Sequence, residues 1–269
     1  QGVDGICILA NYSEQFLLTD LERNTLLDVC LDHVTGRVPV IVTCSHFSTR
    51  IAAERAREAE AAGAAMVMMM PPYHGAGLRV DEAAICEHFS EVAESISIPI
   101  MVQDAPLSGV TLSVDLLVQL AIALPQVAYF KIEMPNTADK LRSLIAIASD
   151  VVAGPFDGEE GITLLADLDA GATGTMPSAL IPDLIKPVLE HHVIGDRPKA
   201  ASDYARVLPV INFENRQCGL RAAKAAMKAG GVIKSDAVRH PLRPLHPETR
   251  EALLDLLRPM DPVALRWGH

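Results

Sequence analysis

Short, almost continuously apolar runs alternate along this chain with longer stretches in which apolar residues recur at helical spacing. The runs are 5–10, 38–44, 65–70, 98–104, 127–132, 151–154 and 173–176. Uninterrupted apolar character over so few residues is what parallel strands covered on both faces show. The intervening segments 20–34, 48–62, 81–96, 113–124, 136–149 and 160–170 carry the amphipathic pattern. Ser48 or Thr49, Asp81, Ser113 and Asn136 stand where a side-chain oxygen caps a helix start. Gly36, Gly63 and Gly171 stand where helices end. This alternation predicts βα units and a parallel sheet. Beyond residue 178 the pattern is helical only, over 179–192, 198–212, 217–229 and 247–258.

No GxGxxG follows the first run and no GxxxxGK[ST] occurs, which removes the support for a nucleotide-binding doubly wound sheet. A closed barrel needs eight strands, one more than the pattern supplies. The chain opens on Gly2-Val3-Asp4-Gly5, the wording of a helix end running into a strand. The expectation is therefore an α/β fold, a (β/α)8 TIM barrel over residues 1–195 with its first βα unit upstream of Gln1. A helical C-terminal extension over 196–269 should follow it.

Composition narrows the function classes. Of 269 residues 49% are hydrophobic, enough for one large core. The net charge of −11 predicts no nucleic-acid partner and no attraction to an anionic membrane. No apolar run approaches the length of a membrane-spanning helix. Cys7, Cys30, Cys44, Cys86 and Cys218 are scattered without a CxxC, which points to a reducing, cytoplasmic location. His46, His74 and His88 lack the spacing of a carboxylate-supported metal triad, which argues against a zinc-dependent aldolase.

Active-site residues of a barrel lie at the C-terminal ends of its strands. Here those ends supply Asn11, Tyr12, Ser13 and Glu14, then Ser45 and His46, Tyr73 and His74, Gln103 and Asp104, Lys131 and Glu133, and finally Phe156, Asp157, Gly158 and Glu159. Lys131 is the one lysine among them. An ammonium in an apolar strand is costly unless it is paired or neutralised. Burial alone draws a lysine from its reference value of about 10.4 toward neutrality, which makes a nucleophile for a ketone. The alternative is a lysine salt-bridged to Glu133.

The chain resembles the dihydrodipicolinate synthase/N-acetylneuraminate lyase superfamily of Schiff-base lyases. The segment Gly5 to Glu14, followed by Leu18-Thr19 and Glu22-Arg23, occupies the frame of the family's first substrate-binding strand. Gly63-Ala64-Ala65 to Pro72-Tyr73, Pro99 to Pro106 and Gly171-Ala172-Thr173-Gly174 match further blocks, and Lys131 falls on the Schiff-base lysine. Gln103 stands where the family carries a tyrosine, and Pro106-Leu107-Ser108-Gly109 lacks the synthases' arginine. These departures argue against synthase chemistry. Asn11-Tyr12-Ser13-Glu14, Pro71-Pro72-Tyr73 and Gln103-Asp104-Ala105-Pro106 resemble instead the branch that dehydrates L-2-keto-3-deoxyarabonate to 2-oxoglutarate semialdehyde. The resemblance implies a small 2-keto sugar acid as partner, no cofactor and a homotetramer. Lys131, Tyr12 and Glu14 are the catalytic candidates, and Asn11, Ser13, Gln103, Asp104, Phe156, Asp157 and Gly158 the substrate-binding ones. A retro-aldol lyase and an inactive keto-acid-binding barrel are the alternatives.

Overall fold

The computed structural model describes residues 1–74 and 79–268. Seven parallel strands lie side by side in sequence order: β1 Ile6–Ile8, β2 Val40–Thr43, β3 Met66–Met69, β4 Ile100–Asp104, β5 Val127–Ile132, β6 Gly154–Asp157 and β7 Gly174–Thr175. The crossover helices are α1 Asp20–Val34, α2 Thr49–Ala62, α3 Glu82–Ser95, α4 Val114–Ala123, α5 Thr137–Ala148 and α6 Leu164–Asp169. α7 Pro182–Val193 follows β7, and then come α8 Arg197–Phe213, α9 Arg221–Ala229, α10 Pro247–Leu257 and α11 Val263–Arg266. The two edges of the sheet approach each other. Gln1 Nε2 donates to the Ala179 carbonyl at 3.2 Å, and Lys186 of α7 reaches Asp4 Oδ1 at 3.0 Å. The sheet is therefore curled rather than open. Among the described residues no helix is long and apolar enough to cross a membrane.

Helix starts follow the side-chain oxygens. Asp81 accepts from the Ala84 N–H and Ser113 from the Leu116 N–H. Asn136 instead adopts a left-handed conformation and makes no side-chain cap. One strand differs from expectation. The apolar Val151-Val152 does not belong to β6, because both N–H groups bond back to Ala148 at the end of α5. The strand is built from Gly154-Pro155-Phe156-Asp157 instead. Gly154 is needed there, since a Cβ would meet the Phe156 ring at 2.9 Å and the Tyr129 ring at 3.0 Å.

Strand periodicity divides the side chains into two layers. Val67, Val102, Phe130 and Ile132 alternate with the site-facing positions and are fully buried in the apolar core. The other set includes Met101, Gln103, Tyr129, Lys131 and Phe156. The ladders pair Gln103 with Lys131 and Lys131 with Phe156, so these three stand in one row across β4, β5 and β6. α8 ends in a π-helical turn, Glu214–Cys218, before α9 begins.

Candidate active site

Lys131 lies near the end of β5 and Glu133 follows two residues later, so both point to the same face. Their side chains form an ion pair at the level of the strand ends, each residue only 9% exposed. On the neighbouring strand Gln103 Nε2 donates to both Glu133 oxygens at 3.3 Å, while Gln103 Oε1 is buried without a partner. Gly158 makes room for the pair: a Cβ there would collide with the Glu133 side chain. Burial by itself would lower the Lys131 amine, but the adjacent Glu133 carboxylate, helped by Glu160 and Cys7, outweighs it and holds the amine above the usual lysine range. The expectation of a lysine drawn toward neutrality is thus corrected. The resting amine is protonated, and its proton has Glu133 as the nearest acceptor.

Glu160 completes the surroundings of Lys131. It sits in the turn Gly158-Glu159-Glu160-Gly161, where Glu159 and Glu160 both take positive φ, 51° and 61°. Such conformations cost about 1–3 kcal/mol each and persist where neighbours enforce them. Asn215 Nδ2, from the π-helical turn, donates to Glu160 Oε2 at 3.0 Å. Burial raises the Glu160 carboxyl above the ordinary range. Lys131, Asn215 and Tyr12 oppose that rise, and Glu133 adds to it. A carboxyl so raised is a proton carrier next to an amine.

Tyr12 belongs to a 3₁₀ turn, Asn11–Ser13, after β1. Its hydroxyl hydrogen-bonds Glu160, and burial together with the Glu160 and Glu214 carboxyls pushes its ionisation up, so it is a donor and not a base. Asn11 Oδ1 accepts from Gln15 Nε2 at 2.6 Å, and the Ser13 N–H is taken by the Ala10 carbonyl. Phe156 lies on the Lys131 face, against Gly154 and Gly174. Lys131, Tyr12, Gln103, Phe156 and Gly158 are therefore brought together.

Three candidates are directed elsewhere. Asp104 follows Gln103 and so points to the opposite face. It is wholly buried, Lys140 of α5 pairs with its Oδ2 at 2.5 Å, and the Leu112 N–H reaches its Oδ1 at 3.4 Å. Asp157 follows Phe156 and likewise turns outward, accepting from Thr175 and lying beside the Asp167 carboxyl of α6. Burial first, and the hydrogen bond to Asp167 second, hold Asp157 well above the usual carboxylate range. Glu14 has both oxygens occupied, one by Lys224 and one by the Arg239 N–H at 2.7 Å. Burial would raise it, but these two donors pull it below its ordinary value, which leaves a fixed anion rather than a proton carrier. The residues absent from the expected set are Glu133 as a site member, Glu160 and Asn215. Parity with Lys131 marks the first, and the glycine-flanked pair Glu159-Glu160 hints at the second. Nothing local marks Asn215, which arrives from a helix 84 residues beyond Lys131 in the chain.

Residues 1–259, which carry this strand-end lysine and the carboxyls near it, match the dihydrodipicolinate synthetase family. The chain belongs to that family. It is 56% identical over 268 residues to the L-2-keto-3-deoxyarabonate dehydratase of Azospirillum brasilense, covering all of this chain and 87% of the relative. Among solved structures it is similar to a putative dihydrodipicolinate synthetase from Pseudomonas aeruginosa, at 30% identity, TM-score 0.89, and coverage of 98% of this chain and 88% of that one. It is also similar to a prophage protein of the dihydrodipicolinic acid synthase family from E. coli K12, solved in complex with pyruvate. That match has 26% identity, a TM-score of 0.88, and coverage of 97% and 88%. These solved structures share the parallel α/β architecture over nearly the whole of this chain.

Proposed function

We infer that this protein is a Schiff-base hydro-lyase that removes water from L-2-keto-3-deoxyarabonate and releases 2-oxoglutarate semialdehyde. The observation that carries the inference is the amine of Lys131 with Glu133 on one side and Glu160 in its field on the other. Gln103, in the row where the family has a tyrosine, offers no titrating group. The 56% identity to a dehydratase of that name supports the same reading.

The chemistry follows from the groups present. Lys131 passes its proton to Glu133 and attacks C2 of the keto acid, and loss of the C2 oxygen as water leaves a protonated imine. The imine acidifies C3, Glu133 relays that proton, and an enamine forms. The enamine expels the C4 hydroxyl, which takes a proton from Glu160 and departs as water. Loss of a C5 proton gives a dienol, protonation at C3 restores the imine, and protonation at C4 with loss of the C5 hydroxyl proton turns C5 into the aldehyde. Hydrolysis of the imine then consumes one water and frees Lys131. The balance is the substrate minus one water. Tyr12 donates to Glu160 throughout, Asn11 and Ser13 lie on the loop that meets the C1 carboxylate, and Gln103 Oε1 accepts from a substrate hydroxyl. A (β/α)8 barrel over 1–195 with a C-terminal helical extension, a cytoplasmic location and a homotetramer go with this reading. Light scattering of the purified protein tests the last.

The direct test is incubation with L-2-keto-3-deoxyarabonate. The semialdehyde is expected. Pyruvate with glycolaldehyde, and no semialdehyde, would assign retro-aldol cleavage instead. Borohydride reduction with pyruvate should add the keto acid to Lys131, read by mass spectrometry. No adduct there would overturn the Schiff-base chemistry altogether.

A further inference from the structure

Glu214, Asn215 and Arg216 are consecutive, and each reaches a loop at the strand ends. Ser178 Oγ donates to Glu214 Oε1 at 2.6 Å, Asn215 Nδ2 donates to Glu160 Oε2 at 3.0 Å, and Arg216 Nη2 lies 3.6 Å from Glu159 Oε1. Three consecutive side chains of an α-helix fan through about 200° and do not serve one side together. The wider turn at the end of α8 permits it, and π-turns of this kind concentrate at functional sites. Glu214 is only 1% exposed, so the turn carries a buried acid as well as the amide that meets Glu160.

A carboxyl group has two oxygens that differ once it is protonated. The carbonyl oxygen is the better acceptor, and the hydroxyl oxygen carries the proton to be given. An amide N–H fixed on Oε2 makes that oxygen the acceptor and leaves the proton to Oε1. The same bond steadies the ionised form that remains after the proton has gone.

We propose that Asn215 is a positioning residue for the Glu160 carboxyl: mounted on the π-helical turn, it holds Oε2 as acceptor and fixes Oε1 as the oxygen that carries and delivers the proton. This rests on the reading of Glu160 as the acid of the dehydration. The groups facing the turn are consistent with it. Burial pushes Glu214 up to about 8, with the Ser178 hydrogen bond opposing and Glu160 adding. Near neutral pH Glu214 therefore holds its proton and adds no negative charge beside Glu160, while Glu159 faces Arg216. Tyr12 and Cys218 are the remaining titratable groups in its field.

The test follows the Glu160 carboxyl directly, by 13C NMR titration of glutamate-labelled protein, with the signal assigned by its loss in Glu160→Gln. In Asn215→Ala the midpoint should rise by about half a unit to one unit, because a hydrogen bond to the carboxylate is lost. In Asn215→Asp, which keeps the volume and the fold, the added like charge should raise it further. With L-2-keto-3-deoxyarabonate both variants should lose roughly tenfold in kcat with little change in KM. An unmoved midpoint in both variants overturns the inference, as does a fall in kcat that comes with a rise in KM and no shift in midpoint. The two readings fail separately. A wild-type protein that forms no semialdehyde defeats the proposed reaction, while a moved Glu160 midpoint in the same protein still upholds the positioning role.

Discussion

At the scale of single residues, the pairing of Lys131 with Glu133 decides how the amine behaves. Burial and a carboxylate neighbour act in opposite directions on a lysine, and here the neighbour prevails. Glu133→Gln removes the main group that opposes burial and leaves Glu160 and Cys7. The pH at which pyruvate is half-maximally trapped by borohydride should then move down, since less alkali is needed to free the amine. A profile unchanged from wild type would show that Glu133 does not govern it. Glu160→Gln should retain trapping and lose about 10²–10⁴-fold in kcat, the usual worth of a general acid. Lys131 was legible in the sequence because a lone lysine in an apolar strand is chemically conspicuous. Glu160 was not, because its position depends on a turn with two successive left-handed residues that no propensity foretells.

At the scale of elements, the strand period explains why some expected site residues fall outside the site. Gln103 and Asp104 are adjacent, as are Phe156 and Asp157, and only one of each pair can face Lys131. The sequence names the strand ends correctly in β4 and β5, yet a run of polar residues after a strand does not say which of them turns inward. Ladder register with Lys131 does. The outward member then has structural work. Lys140→Met strips the wholly buried Asp104 of its counter-ion, and such a loss costs about 3–5 kcal/mol. Thermal melts should register it, whereas kcat per folded molecule should hold. Replacing both partners by apolar residues should recover much of the loss. A Lys140→Met protein that melts like wild type would show that the pair contributes nothing.

At the scale of the whole molecule, the order of parallel strands and crossover helices was legible in the hydrophobic pattern, because each βα unit is a local statement. What was not legible is what the distant chain contributes, since contacts such as Glu14 with Lys224 and Glu160 with Asn215 join segments far apart in sequence. The raised Asp157 carboxyl, with Asp167 beside it, gives the molecule a pH signature. Asp157 is raised when folded, so its stabilising effect is complete below the ordinary carboxyl value and fades as pH rises through the raised one. Melting temperature should therefore fall as pH rises above the ordinary carboxyl value, and Asp167→Asn, which removes the neighbouring carboxyl, should flatten that slope. An unaltered slope would remove the pair from the account. Lys224 and Arg239 grip the loop that carries Tyr12, and Asn215 grips Glu160. During synthesis the strands emerge before these partners exist. A chain cut after α8 would keep every strand of the sheet and Lys131 yet lose the contacts that hold Glu14 and Glu160. Removing the segment beyond α8 should therefore disarm the site without touching a strand.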